Sequence, residues 1–189
     1  MRMTAAVLSL LLSVSAGAQA EDVQALTAEG LALIPPFQQQ LLETVKAAMQ
    51  AGGPLKAVEA CQLQAPLIAA EHSRAPWRVG RTSLLVRNPA NAADAWEHDV
   101  LRQFAQRAAA GEPLASMQHS AVVAGEVRVM QAIAVGEPCL ACHGKTLKPE
   151  LAALLDQRYP HDQARGYELG ALRGAFTLRR SLADAGVSQ

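Results

Sequence analysis

The sequence predicts an α+β domain in which helices come first and an antiparallel sheet follows. Residues 21–73 are rich in Ala, Leu, Gln and Glu and repeat their apolar residues at helical spacing. Later segments carry β-branched or alternating residues between turn signals, which is typical of strands. Helices followed by closely spaced strands favour an antiparallel sheet over a helical bundle.

The first 20 residues are predicted to be a secretion signal and not part of the fold. The basic start Met1-Arg2-Met3 precedes the apolar stretch AAVLSLLLSVSAGA, and Ala18-Gln19-Ala20 forms an A-x-A cleavage site. The apolar stretch is shorter than the roughly 20 residues of a membrane span, so an uncleaved anchor is the weaker alternative. Cleavage would place one domain, 21–189, in the periplasm.

The charge of the mature chain is close to neutral. The full sequence has 17 Lys and Arg and 17 Asp and Glu, and removal of Arg2 with the signal leaves a net charge of −1. The chain lacks the excess of basic residues that would indicate nucleic-acid binding. It also lacks a second apolar segment long enough to indicate stable membrane insertion, so neither partner is expected.

Pro and Gly residues divide the helical part. Pro35-Pro36 interrupts a first helix over 21–51, and Gly52-Gly53-Pro54 ends it, with the proline placed to open a second helix over 54–73. Pro66 predicts a kink in this second helix. Five of its residues share one face, which is expected to be buried: Leu55, Val58, Cys61, Ala65 and Ile68.

The rest of the chain is predicted to alternate between strands and helices. Asn91 or Asp94 can cap a helix that Gly111-Glu112-Pro113 ends. The predicted elements are a short strand within Trp77–Asn91, the capped helix to about Ala110, strands near 117–124 and 126–135, a loop with two cysteines, a helix over Pro149–Arg158 and a strand over Leu172–Arg180.

The segment Cys139-Leu140-Ala141-Cys142-His143 fits the pattern C-x-x-C-H, which attaches c-type haem. The two thiols reach the two vinyl groups on one edge of the porphyrin, and the adjacent imidazole turns under the iron as its proximal ligand. Export agrees with this chemistry, because c-type haems are attached outside the cytosol. The sequence therefore predicts one covalent haem c per chain, on Cys139, Cys142 and His143.

Two other interpretations of these residues stay open. Cys139 and Cys142 could form a redox-active disulfide, although nothing around them resembles the start of a thioredoxin-like fold. Together with Cys61 and His143 they could form a Cys₃His zinc site, but adjacent Cys142 and His143 are an awkward pair of ligands for one tetrahedral ion.

The second axial ligand of a haem iron would come from upstream. No Met follows His143, which excludes the arrangement of small cytochromes c with a downstream Met ligand. Cys61 is a candidate, because a third cysteine is otherwise unexplained in an oxidising compartment, although a buried free cysteine can also act as a small apolar residue. The other upstream candidates are His72, His98, His119, Met117 and Met130.

Arginine and asparagine are concentrated between the two helical regions. Haem propionates need cationic or amide donors, and Arg binds carboxylates through two parallel hydrogen bonds. We expect Arg81 to contact a propionate; the alternative is that these polar residues build the loop and a solvated strand edge. The other polar residues of this segment are Arg78, Arg87, Asn88 and Asn91. His72, His98, His119 and His161 are expected at the surface, and Trp77 and Trp96 in the core.

Four stretches together resemble a family of periplasmic single-haem proteins with a PAS-like fold, first described in cyanobacteria. They read GGPLKAVEACQLQAPLIAAEHS, WRVGRTSLLVRNPANAADAWE, CLACHG and YPHDQARGYELGALRGAFTL, and they span most of the chain from Gly52 to Leu178. The resemblance implies that Cys61, in the segment EACQLQAP, is the second axial ligand opposite His143. It also implies a PAS-like antiparallel sheet of about five strands flanked by helices.

This ligand pair predicts a function without catalysis. A thiolate opposite an imidazole donates charge to the iron and lowers its reduction potential. With both axial positions filled, no site is open to a substrate, so we do not expect an enzyme. We expect a redox or small-ligand sensor, because a thiolate that leaves on reduction would open the iron. The alternative is a periplasmic electron-transfer cytochrome c, and either role needs a redox or signalling partner protein that the sequence does not identify.

Overall fold

The structure is a computed structural model that describes residues 22–185. The predicted signal peptide, residues 1–20, lies outside the described part of the chain. Two helices come first, and the strands of one antiparallel sheet follow with three further α-helices between them, so the predicted α+β class is confirmed. No helix within residues 22–185 is long and apolar enough to cross a membrane.

The N-terminal helices follow the predicted breaks. Helix α1 covers residues 22–32, and α2, Ile34–His72, begins with the two prolines in its first turn. Gly52 and Gly53 interrupt α2, because Gly53 has φ 69°, a conformation that glycine adopts without steric cost. The non-helical dihedral angles inside the described helix belong to the two glycines, and the chain around Pro66, where the sequence predicts a kink, keeps helical dihedral angles.

Three shorter helices lie farther along the chain. Helix α3, Ala95–Ala109, starts at Asp94, whose carboxylate accepts from the Glu97 amide at 2.9 Å while Glu97 accepts from the Asp94 amide at 3.0 Å. Helix α4, Glu137–His143, contains the C-x-x-C-H segment, which the sequence analysis had expected to be a loop. Helix α5, Pro149–Arg158, has the predicted bounds.

One four-stranded antiparallel sheet forms the centre of the described chain. Its strands are β1, Arg78–Thr82; β2, Gln118–Val123; β3, Glu126–Ala134; and β4, Leu172–Ser181. They lie in the order β1-β4-β3-β2, so the last strand inserts between the first and the third. The four strand positions predicted from the sequence are confirmed, but the expectation of about five strands is wrong within residues 22–185, because the segments between these strands form helices and turns.

The sheet is covered on both faces. Alternate side chains of β3 and β4 point in opposite directions. Val127, Val129, Phe176 and Leu178 pack with α1 and α2. On the other face, Met130 and Ala132 of β3 and Ala175 of β4 pack with Val100, Leu101 and Phe104 of α3. The predicted core position of Trp77 is confirmed, and Trp96 is half-buried against the α3 cluster.

A third, smaller core lies at the end of the molecule that carries α4. Val58 of α2 packs against Leu151 and Leu155 of α5 and against Tyr159. Cys142 packs against the edge of this cluster. This cluster therefore joins three elements: the second half of α2, the C-x-x-C-H helix and α5.

Candidate functional site

Helix α4 presents the C-x-x-C-H segment as a single tight turn. Gly136 precedes the helix, and the Gly144 amide closes it by donating to the Leu140 carbonyl at 2.9 Å. A Cβ atom at position 144 would lie 2.6 Å from that carbonyl oxygen, so only glycine fits directly after His143. Both cysteines of the segment are partly exposed and unpaired, so no disulfide joins Cys139 to Cys142.

The imidazole of His143 is fixed in one tautomer. Its Nδ1 lies 2.7 Å from the backbone carbonyl of Ala164, which can only accept a hydrogen bond, so Nδ1 carries the proton and Nε2 keeps its lone pair. Burial, followed by the charges of Arg173 and Arg87, lowers the pKa of His143 to about 3. A neutral imidazole with a free Nε2 is the form that binds metal ions.

Backbone pairing holds the Ala164 segment against α4. The Tyr167 amide donates to the His143 carbonyl at 3.0 Å, and the Gly166 amide donates to the Gly144 carbonyl at 3.1 Å. The Tyr167 ring meets the His143 ring edge to face, with 6.4 Å between centroids and 89° between planes. These contacts therefore hold the Ala164 carbonyl in place beside His143, whose Nδ1 proton it accepts.

A buried ion pair supports the same segment from below. Asp162 is 1% exposed, and its carboxylate accepts from Arg87 Nε at 3.2 Å, Arg165 Nε at 2.8 Å and the Ala164 amide at 2.9 Å. Burial by itself would raise the pKa of Asp162, but these hydrogen bonds outweigh it and lower that pKa. Arg87 also donates from Nη2 to the Cys142 carbonyl at 2.6 Å.

Cys61 lies near the motif, but it is not buried as predicted. The residue is exposed, whereas Val58 and Ile68 on the same helix face are buried against α5 and against the sheet, respectively. Cys61 stands between these two contacts, where neither neighbour covers the helix. The prediction of an unbroken buried stripe is therefore wrong, because α2 packs on two separate partners.

The electrostatics nevertheless group Cys61 with the C-x-x-C-H residues. Although Cys61 is accessible to solvent on one side, the protein atoms around its thiol partly desolvate it and raise its pKa, and the nearby Arg81 and Arg87 guanidinium groups act in the opposite direction without cancelling this effect. Burial also raises the pKa of Cys142, which Arg87 lowers and the adjacent Cys61 and Cys139 raise further. The thiol of α2 thus shares its surroundings with the thiols of α4.

Two further arginines lie beside these thiols. Arg81, on β1, is half-buried, and burial lowers its pKa while the Cys61 thiol opposes that effect. Arg173, on β4, has its guanidinium 5.3 Å from the centre of the Tyr167 ring and donates to the Ser83 hydroxyl at 3.1 Å. Burial lowers the pKa of Arg173 as well, and Cys139 is one of the groups that oppose the effect. The site is therefore rich in positive charge.

A family model described as Tll0287-like matches residues 14–181 of the chain. The chain belongs to the Tll0287-like family. The crystal structure of the cyanobacterial heme-protein Tll0287 aligns with it at 23% sequence identity and a TM-score of 0.58, over 81% of this chain and 95% of that chain. At this identity the likeness shows a shared fold. No curated protein matches the chain. The family resemblance drawn from the sequence is confirmed.

The Tll0287-like match includes every residue that the sequence analysis assigned to the site. Cys139, Cys142 and His143 share helix α4, and Cys61 is close enough to Cys142 and to Arg81 to influence the pKa of both. The alternative zinc site is not formed, because no three His, Cys, Asp or Glu side chains within residues 22–185 are close enough together to hold one metal ion.

The other upstream candidates for a second axial ligand lie elsewhere. Met117 and Met130 are fully buried in the cluster against α3, and that cluster contains none of the site residues. His72 is hydrogen-bonded to Gln40 at 2.6 Å, and its ring contacts Phe37. The expectation of surface histidines is correct for His98 and His161, whereas His72 and His119 are half-buried.

The other polar residues of this segment are bonded within the loop or lie at the exposed edge of β1. Arg87 is occupied by Asp162 and by two backbone carbonyls. The Asn88 side chain accepts from the Ala90 amide, and the Asn91 carbonyl accepts from Thr82. Arg78 is exposed at the start of β1. These residues build the loop, as the alternative interpretation had it.

Sequence analysis missed three residues that shape the site: Asp162, Ala164 and Arg173. Asp162 and Arg87 lie 75 positions apart, so no local spacing joins them. The sequence feature that could have pointed to Asp162 is its place in the turn sequence YPHDQARG, two positions before Ala164, which the structure shows to be buried. Ala164 acts through its backbone carbonyl, which leaves no trace in the side-chain pattern.

Proposed function

We propose that this protein binds one haem c covalently through Cys139 and Cys142, with His143 as the proximal ligand of the iron. The observation that carries the proposal is the hydrogen bond from His143 Nδ1 to the Ala164 carbonyl, inside an intact C-x-x-C-H helix. It leaves Nε2 as the free lone pair, which is how proximal histidines are oriented. The heme-protein Tll0287, with the same fold, supports the choice of cofactor.

The residues around the helix fit this group. Two partly exposed thiols could take up the vinyl groups, and Cys142 adjoins an apolar cluster that would offer the group a nonpolar contact. When bound, the haem supplies an iron centre that changes between ferric and ferrous states. The protein supplies the oriented imidazole, the low-dielectric contact and the charges that set the balance between those states.

Cys61 is proposed as the second axial ligand. Its surroundings overlap with those of Cys142, and the Arg81 and Arg87 charges act toward the thiolate, although burial outweighs them and raises the pKa of the metal-free thiol. A bound metal cation favours the thiolate further. Arg81 is proposed to bind a propionate, since it is half-buried and close enough to Cys61 for the two groups to influence each other's pKa. Arg173, already bonded to Ser83, is a second cation in reach of such a carboxylate.

This ligand set supports a low-potential redox or small-ligand sensor. Both axial positions are taken by side chains, which argues against an enzyme, and a thiolate is held less tightly by ferrous than by ferric iron. The thiol lies on a solvent-accessible part of α2. We regard the sheet with its two helical layers as PAS-like, and we place the mature protein in the periplasm after cleavage of residues 1–20. Its partner would be a redox or signalling protein. An electron-transfer cytochrome is the alternative.

The test is ferric absorption and EPR spectroscopy of the protein produced with a cytochrome c maturation system. We expect a low-spin ferric haem in the wild type and loss of the imidazole ligand in His143→Ala. His161→Ala, which removes an exposed histidine of the same end of the molecule, is the matched control and should give the wild-type spectrum. Unchanged spectra in His143→Ala would reject the assigned proximal ligand.

A further inference from the structure

The Ala164 carbonyl has two donors of different kinds. His143 Nδ1 lies 2.7 Å from its oxygen, and Arg87 Nη2 lies 3.3 Å from the same oxygen. A carbonyl that accepts from a cation has less electron density to offer a second donor. The strength of the bond to His143 therefore depends on where the Arg87 guanidinium is held.

Arg87 is held from three sides. Its Nε contacts the buried Asp162 carboxylate at 3.2 Å, and the same Nη2 donates to the Cys142 carbonyl at 2.6 Å, within the C-x-x-C-H helix. Asp162 in turn accepts from the Ala164 amide at 2.9 Å, so both backbone groups of Ala164 belong to the network. The arginine joins the motif, the acceptor of its histidine and a buried anion in one rigid unit.

We propose that Arg87 is a positioning residue that sets how strongly His143 donates electrons to its metal. The inference rests on the proposed function, in which His143 binds the haem iron. A proximal histidine becomes a stronger donor as its Nδ1 proton is drawn more strongly toward an acceptor. By sharing the Ala164 carbonyl, Arg87 weakens that pull, and its positive charge adds to the effect. Both act in the same direction: they disfavour the ferric state and raise the reduction potential.

Three variants separate this role from a merely structural one. Arg87→Gln removes the charge and the donation to the Ala164 carbonyl. Arg87→Lys keeps the charge but has no planar fork to reach the carboxylate and both carbonyls together. Arg165→Gln is the matched control, because Arg165 donates to the same Asp162 oxygen yet is not a donor to the Ala164 or Cys142 carbonyl.

The measurement is the midpoint potential and ferric EPR spectrum of each purified holoprotein. We expect a more negative potential and altered low-spin g values in Arg87→Gln, an intermediate potential in Arg87→Lys, and wild-type values in Arg165→Gln. If Arg87→Gln does not accumulate, a shift in Arg87→Lys alone supports the inference. Equal potentials in wild type and the Arg87 variants overturn it, and so does an equal shift in Arg165→Gln.

A second readout keeps this inference separate from the proposed function. In the full-length chain without haem, the ¹⁵N chemical shift of His143 Nδ1 should change in Arg87→Gln and stay constant in Arg165→Gln. A wild-type chain that takes up no haem would reject the proposed function, and the nitrogen shift would still decide whether Arg87 acts on His143. An unchanged nitrogen shift in Arg87→Gln would reject that action.

Discussion

Replacement of Asp162 by Asn tests the buried network beneath the site most severely. The substitution keeps the side-chain volume but removes the charge that faces Arg87, which is 11% exposed, and Arg165. It also turns one acceptor oxygen into an amide donor, so either the Ala164 amide, which donates to Oδ1, or both arginines, which donate to Oδ2, lose their acceptor.

The expected loss of stability is large. Breaking a buried ion pair from one side costs about 3–5 kcal/mol, because the remaining charge stays desolvated without its counter-ion. Arg165 is more exposed and keeps its contact with Asp156, so its share is only about 0–1 kcal/mol. A domain of this size is typically stable by about 5–15 kcal/mol, so the variant should unfold at a much lower urea concentration.

Equilibrium urea unfolding followed by circular dichroism measures this loss. The double variant Arg87→Gln/Asp162→Asn completes a double-mutant cycle, because it removes both charges and leaves neither of them buried without a counter-ion. We expect it to lose clearly less stability than the sum of the two single variants. A loss below about 1 kcal/mol in Asp162→Asn, or strict additivity in the double variant, would refute a buried and coupled pair.

The remaining predictions concern pH, the thiol ligand and export. Folding lowers the pKa of Asp162, so its contribution to stability is present above about pH 4 and is lost as the pH falls below that value. The difference in urea midpoint between wild type and Asp162→Asn should therefore shrink at low pH and stay constant near neutral pH. Cys61→Ala should give a high-spin or water-ligated ferric haem with a raised potential, whereas Cys61→His should give a bis-imidazole EPR spectrum; a low-spin spectrum of Cys61→Ala identical to wild type would mean that another residue binds the iron. N-terminal sequencing of periplasmic protein should begin at Glu21, and a retained Met1 would contradict cleavage.

Local sequence signals predicted most of the secondary structure. Asp94, one of the two predicted caps, begins α3, and the glycine pair breaks α2 where it was predicted to. These features depend on residues only a few positions apart, whose chemistry is visible in the sequence. Alternation of apolar residues likewise located β3, because one side of each strand faces each helical layer.

Features that depend on distant contacts could not be predicted in this way. Cys61 lies on the apolar face of its helix, but burial depends on which element covers that face, and α2 contacts the sheet and α5 at separate levels. Pro66 was expected to bend the helix, yet the surrounding helix keeps its dihedral angles. The role of Arg87 needed the Asp162 loop, which folds back over 75 positions of sequence. The C-x-x-C-H pattern found the motif, and tertiary contacts alone showed what holds its histidine.

Intact mass measured under denaturing conditions tests the central claim most directly. The protein is produced in the periplasm with a cytochrome c maturation system and compared with a variant in which Cys139 and Cys142 are both Ala. The account predicts that the wild type keeps the added mass of one haem after denaturation, that tryptic digestion locates it on the peptide containing Cys139 to His143, and that the double variant keeps none. A wild-type chain without added mass, in cells that mature a control cytochrome c, would contradict it.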